Sequence, residues 1–276
     1  MIRVANAPVS YGAFELTVGV LPNVPEPERV LDAIAAAGYE GTELGPPGYL
    51  GEGEELRARL ERRGLALAGA FVPIRFDAPE LDLAELERTL DLLAAASADR
   101  SARPVLADAG PRRAVRWRRL ADGVARAVER ARERGFEPTF HHHMGTAVQT
   151  PDEVERLLEL ADVGLLLDTG HLIAAGGDPV RALRAWRDRV DHVHLKDVRQ
   201  AILRCAGGWD EAWRGGVFCE LGSGEADLVA FLAELDGYDG WLVVEQDWVP
   251  APDADVGDQI EAQARNRRWL ALAAGL

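Results

Sequence analysis

The sequence predicts a single-domain α/β protein, a closed (β/α)8 barrel over residues 1–276. Three observations predict it. Eight short apolar runs alternate with eight longer amphipathic ones, the count such a barrel needs. The short runs are continuously apolar, as in Val163-Gly164-Leu165-Leu166-Leu167, the pattern of parallel strands covered on both faces. Four successive short runs in the second half end in His, Asp or Glu, and in a closed parallel barrel such ends converge on one mouth.

In order, the strands are expected at 2–9, 40–45, 66–72, 103–108, 137–142, 163–168, 190–195 and 240–245. The helices are expected near 27–37, 52–63, 82–98, 113–134, 151–161, 178–187, 226–236 and 256–274. Thr150-Pro151 reads as an N-cap followed by proline at the first helical position, with Glu153 completing a capping box. Asp178-Pro179 repeats the cap-then-proline pattern. Gly38, Gly64 and Gly135 follow apolar-periodic segments and suit the left-handed position after a helix. Gly222-Ser223-Gly224-Glu225 lacks the Lys-Ser/Thr of a phosphate loop and reads as a turn before a helix.

One connection breaks the rhythm. Residues 197–225, rich in Gly and Trp, form a loop long enough to be functional. It leaves the seventh strand on the face where barrel chemistry sits, so a lid is the expectation; a surface excursion or an oligomer contact is the alternative.

Composition narrows the function. The net charge of -15 repels phosphate backbones and disfavours nucleic-acid binding. Two cysteines, Cys205 and Cys219, provide no disulfide framework, which makes a reducing cytoplasm the default. Residues 1–6 lack the apolar core of a signal peptide, and no apolar run reaches membrane-spanning length, so no membrane partner is expected. Association of copies through the long connection or exposed helices is compatible with the sequence.

The chemistry lies at the strand ends. His141, Asp168, His194 and Glu245 form a mixed nitrogen and oxygen set, and the imidazoles suit Mn, Fe, Co or Zn better than Mg or Ca. Each has a plainer role: Asp168 as an N-cap, His194 as a core histidine, Glu245 as an arginine partner. Four such coincidences on consecutive strands are harder to accept than one metal. In His141-His142-His143, side chains alternate faces, so His141 and His143 reach the interior and His142 packs under a helix. His141 is taken as ligand and His143 as a supporting group or base, with the reverse assignment open. His171, three residues past Asp168, is placed for acid–base work or else lies in solvent at a helix start. Lys196 shares the face of His194 and either holds an oxyanion, protonates a leaving group or faces solvent. Glu43, at the end of the second strand, is a candidate for a substrate hydroxyl.

Six segments carry a resemblance: Asn6-Ala7-Pro8-Val9-Ser10-Tyr11-Gly12, Gly41-Thr42-Glu43-Leu44-Gly45-Pro46, His141-His142-His143-Met144-Gly145-Thr146, Asp168-Thr169-Gly170-His171, His192-Val193-His194-Leu195-Lys196-Asp197 and Val244-Glu245-Gln246-Asp247. The chain resembles the sugar-isomerase-like TIM barrels, the group of xylose isomerase, ketose 3-epimerases, endonuclease IV and 3-dehydroshikimate dehydratase, and within it the inosose dehydratase branch. The resemblance implies a divalent metal, Mn or Co first and Zn, Fe or Mg as alternatives, on His141, Asp168, His194 and Glu245. It implies catalytic use of His143 and His171. Many relatives have Glu where His141 stands, and Tyr11 stands where the branch has Trp, which places Tyr11 in the pocket wall.

The implied reaction is dehydration of a small polyol ketone, 2-keto-myo-inositol (scyllo-inosose), through a metal-stabilised enediolate. In it His143 or His171 takes the α-proton, and the other imidazole or Lys196 protonates the departing hydroxyl. A sugar or inosose isomerase or epimerase on the same metal site shares the first half of that reaction. An endonuclease IV-like phosphodiesterase would need more ligands and a basic surface. A non-catalytic metal–sugar binder would keep the site without turnover.

Overall fold

The computed structural model describes residues 1–251 and 253–276. The strands are β1 Arg3–Asn6, β2 Gly41–Glu43, β3 Ala66–Ile74, β4 Arg103–Asp108, β5 Thr139–His141, β6 Gly164–Asp168, β7 Val190–Leu195, β8 Asp197–Val198, β9 Phe218–Cys219 and β10 Trp241–Val244. Eight of them close a barrel in the order β1-β10-β7-β6-β5-β4-β3-β2, and β8 pairs separately with β9. Every pairing in the barrel is parallel. The helices are α1 Pro27–Ala37, α2 Gly53–Glu61, α3 Ala84–Ala96, α4 Trp117–Glu133, α5 Pro151–Leu160, α6 Thr169–Ala174, α7 Pro179–Trp186, α8 Gln200–Cys205, α9 Trp209–Arg214, α10 Leu228–Ala233 and α11 Val256–Ala274. All eight expected strands and all eight expected helices form. The first strand stops at Asn6 rather than residue 9 because Pro8 has no amide to donate and opens a 3-10 turn over Pro8–Tyr11.

The strands are apolar throughout because each feeds two cores. Leu165, Leu167, Val193, Leu195, Leu242 and Val244 face the helices and join the large outer core. The alternate residues point inward, where a small cluster of Ala5, Ala7, Ala68, Trp241 and Val243 fills part of the interior. Arg3 stacks over the Trp241 ring at 3.8 Å. The next inward positions along the chain are His194, Asp168, His141 and Glu43, so the interior changes from apolar to polar toward the strand ends.

The helix ends follow the expected chemistry. The Glu153 carboxylate accepts the Thr150 amide at 3.0 Å. Asp178 accepts from Val180 and Arg181 at 2.9 and 3.1 Å. Gly38, Gly64 and Gly135 have φ of 88, 64 and 80°.

The expected loop at 197–225 is instead a folded excursion. It contains α8, α9 and the β8–β9 pair around its own small core of Val198, Ala212, Val217 and Phe218. Its helices are six residues long, too short for a 3.6-residue period to show in the sequence. Its two ends are tied together by Asp197. The buried carboxylate accepts amides of Val198 and Ala226 on one oxygen, and of Gly222 and Gly224 on the other. The Gly222–Glu225 segment is therefore the turn the sequence suggested, and its free amides are spent on Asp197 rather than on an external anion. Cys205 is exposed and Cys219 buried, and both are free thiols. Among the described residues, no helix is long and apolar enough to cross a membrane.

Candidate metal centre and cavity at the barrel mouth

The register places the strand-end residues side by side. Asp168 at the end of β6 is level with His194 of β7, and His194 is level with Val243 of β10, two residues before Glu245. The β6–β7 register shifts between Leu165 and Leu166, and the β2–β3 register shifts between Thr42 and Glu43. Such irregularities re-aim side chains.

The four sequence-predicted ligands converge. His194 Nδ1 lies 2.9 Å from Glu245 Oε2 and 3.6 Å from Asp168 Oδ2. His141 Nε2 lies 4.0 Å from the same Asp168 oxygen. His141, Asp168 and His194 each offer a donor atom within 4.8 Å of the others. Asp168 Oδ2, His141 Nδ1 and His194 Nδ1 are buried and make no hydrogen bond. Two imidazole nitrogens, His141 Nε2 and His194 Nδ1, and the carboxylate oxygens Asp168 Oδ2 and Glu245 Oε2 come together here, a donor set that suits a divalent ion. The residues present therefore fit such a group.

Asp168 does both of the things its sequence allowed. Its Oδ1 accepts the His171 amide at 2.8 Å and caps α6, while its Oδ2 faces the cluster. The capped helix begins on the next residue, which brings His171 back over the site. Gly170 lets α6 pack this closely: a Cβ there would lie 2.6 Å from the Phe218 ring and 2.7 Å from Lys196 Cβ.

Glu43 lines the cavity, and its Oε1 is already engaged by His192 Nε2 at 3.1 Å and His194 Nε2 at 3.0 Å. A carboxylate behind a ligating imidazole fixes its orientation and leaves the other nitrogen, here Nδ1, for the metal. Burial works against charge on His194, but Glu245 and Glu43 override it and raise its pKa well above the usual imidazole range. Burial likewise opposes charge on Glu43, and His194 and His192 hold it ionised.

The remaining imidazoles shift the other way. Burial, reinforced by neighbouring cationic groups, lowers the pKa of His141, His143 and His171. The His143 and His171 rings are 4.0 Å apart, and together with His141 they form a second group of donor atoms within 4.8 Å. His142 points away, as the alternation required: it is fully buried, does not line the cavity, and its Nε2 accepts the Asp168 amide at 3.2 Å.

Lys196 is buried rather than solvent-facing. Its Nζ lies 2.7 Å from Asp247 Oδ1, 2.9 Å from Glu245 Oε2 and 3.2 Å from Asp168 Oδ2. Burial opposes its charge, but these carboxylates raise its pKa well above the ordinary lysine value, so it is an ammonium. Asp247 was missed by the sequence reasoning. Its signal was its place just past β10, which ends at Val244, two residues after Glu245 at the mouth of the barrel. Burial and Glu245 push its carboxyl up to about 6 against the pull of Lys196.

These groups open into a cavity of about 380 Å³, within the range of small-molecule sites. Phe71, Phe14, Trp209 and Trp213 supply apolar walls that the sequence did not single out. Trp209 and Trp213 come from α9, and Phe14 comes from the long segment between β1 and α1. Trp213 meets Phe14 edge-on at 5.5 Å, and Trp209 packs 5.6 Å from the His171 ring. Tyr11 corrects an expectation. It is fully buried in the outer core, not in the cavity wall, because the Pro8–Tyr11 turn rotates it behind the strand ends.

The profile of the xylose isomerase-like TIM barrel family matches residues 31–271. The chain is 34% identical over 261 residues to the inosose dehydratase of Geobacillus kaustophilus, covering 81% of each chain. An L-ribulose 3-epimerase structure superposes with a TM-score of 0.70 at 20% identity, covering 100% of this chain and 95% of that one. The structure of an IolI protein with a bound zinc atom superposes with a TM-score of 0.71 at 14% identity, covering 99% and 98%. At these identities the two structures speak for the fold alone.

Proposed function

The chain belongs to the xylose isomerase-like TIM barrel family of enzymes, and from that premise we propose that it is a hydro-lyase that dehydrates 2-keto-myo-inositol (scyllo-inosose). One observation carries the reading: His141, His194 and Glu245 of the buried cluster, the imidazoles of His143 and His171 and the buried Lys196 line a single cavity in a chain similar to a protein named for inosose dehydration.

His141, Asp168, His194 and Glu245 would hold a divalent ion, Mn or Co by preference, which when bound supplies Lewis acidity that lowers the cost of negative charge on a carbonyl oxygen. Zinc in the IolI protein keeps that metal among the alternatives. Glu43 sets the orientation of His194. His143 or His171, at the cavity surface, accepts the α-proton, and the imidazolium so formed gives that proton up, directly or through the neighbouring ring, to the departing β-hydroxyl. Hydrogen and hydroxide leave as one water and a carbon–carbon double bond forms, with no oxidant or reductant consumed. Lys196 stays charged and offers hydrogen bonds to an oxygen that gains negative charge. The folded excursion at 197–225 serves as the lid, with Trp209 and Trp213 keeping water from the reacting face.

The test is metal content followed by incubation of metal-loaded protein with scyllo-inosose and mass analysis of the product. About one metal per chain and a product lighter by one water support the dehydratase. An isomer of unchanged mass would replace it with an isomerase or epimerase on the same site. Absence of metal after reconstitution would remove the ligand assignment.

A further inference from the structure

Lys196 and a divalent ion would compete for the same oxygens. The ammonium lies 3.2 Å from Asp168 Oδ2 and 2.9 Å from Glu245 Oε2, and these are the two oxygens that approach His194 Nδ1. A dication among His194, Asp168 and Glu245 needs those lone pairs and repels a neighbouring cation at close range. Asp247 offers the ammonium a third carboxylate outside that set. It is the one of the three carboxylates whose contact with Lys196, at 2.7 Å, has hydrogen-bond geometry. On the same side, Lys196 Nζ is 3.5 Å from His171 Nε2, and Asp247 Oδ2 is 3.9 Å from that nitrogen. All three contacts are made at once in this structure, and Asp247 is the berth that remains to the ammonium, beside His171, when a dication takes the other two carboxylates.

We propose that Asp247 is a positioning residue for Lys196: it draws the ammonium off the Asp168 and Glu245 oxygens so that a divalent metal can bind them, and holds it at the His171 side of the cavity. The proposal rests on the metal-site reading above. It makes Lys196 an internal competitor of the metal, and Asp247 the group that resolves the competition. Loss of Asp247 then weakens metal binding through Lys196 and not through its own charge.

A double-mutant cycle separates these. Mn2+ or Co2+ affinity is measured by titration calorimetry on the full chain for wild type, Asp247→Asn, Lys196→Met and the double variant, with circular dichroism to confirm folding. Asp247→Asn is expected to weaken metal binding by about 10–100-fold, as for other groups that orient a ligand shell. Lys196→Met should tighten it. In the Lys196→Met background, Asp247→Asn should cost no more than about 2-fold, the remainder being direct field. Asp247→Glu, which keeps the carboxylate, should recover most of the affinity. If Lys196→Met does not fold, Lys196→Gln carries the cycle. An Asp247→Asn penalty that persists undiminished without Lys196 would overturn the proposal, as would an Asp247→Asn variant that binds metal like wild type. A wild-type chain that binds no metal would overturn the metal-site reading and this proposal together, whereas normal wild-type binding without coupling would overturn the proposal alone.

Discussion

Asp168 holds His171 by its backbone: the 2.8 Å bond from the His171 amide to Asp168 Oδ1 starts α6 and fixes the imidazole over the cluster that Asp168 Oδ2 faces. One carboxylate therefore links the candidate metal site to the candidate acid–base group. Asparagine can keep the cap but not the charge. Asp168→Asn is expected to lose metal affinity by more than about 100-fold with little loss of fold stability, and Asp168→Ala to lose about 1 kcal/mol more through the cap. Calorimetry with Mn2+ and urea denaturation check the two separately; equal unfolding midpoints for Asn and Ala would contradict the capping role.

His171→Ala should lower kcat by about 10²–10⁴-fold while metal content stays at the wild-type level. Metal analysis alongside steady-state turnover of scyllo-inosose decides it. Loss of the metal together with turnover would move His171 into the ligand shell.

Glu43 receives both His192 and His194 on one oxygen. Glu43→Gln replaces that anion with a neutral amide, so the grip on His194 weakens. An affinity loss of about 10–100-fold for Co2+ is expected, with the barrel still folded. Unchanged affinity would mean that Glu43 acts on substrate alone, as its sequence position first suggested.

Trp209 reaches the cavity from the folded excursion and packs on His171 and Phe218, 5.6 and 5.9 Å away. Trp209→Ala is expected to raise KM by about 5–10-fold, the scale of one aromatic contact, and to change kcat less. A variant with wild-type KM would show that α9 does not cover the substrate.

His142 makes acid the weak side of this fold. Burial pushes its pKa down to about 4, and its Nε2 must stay unprotonated to accept the Asp168 amide. In the unfolded chain the value is near the ordinary ~6.5. Between these values the unfolded state binds the extra proton, so stability is lost as pH falls from about 6.5 toward 4, by up to about 1.4 kcal/mol per unit. His142→Gln should lessen that slope by its own share, since burial lowers the pKa of His141, His143 and His171 as well. Chemical denaturation at pH 7, 6 and 5 measures it, and parallel slopes for the two proteins would refute the assignment.

Much of the site was legible because strand alternation is a local rule and the count of strands implies that their ends converge on one mouth. His141 and His143 facing in, His142 facing out, and Lys196 on the face of His194 follow from a two-residue repeat. Asp247 lies three residues beyond the end of β10, where that repeat no longer holds. Tyr11 was misplaced because a proline turn, not a strand, carries it, and the alternation no longer applies after Asn6.

The sequence by itself determined the barrel, the alternation of its elements and the strand ends that bear ligands, since periodicity, caps and apolar runs are short-range physics. Only the tertiary structure decided which groups touch. Glu43 reaches His194 across 151 residues of chain, Lys196 reaches Asp247 across 51, and Trp213 of the excursion meets Phe14 of the β1–α1 segment. Such contacts depend on barrel register and on six-residue helices with no period of their own, and neither is written in any local stretch of the chain.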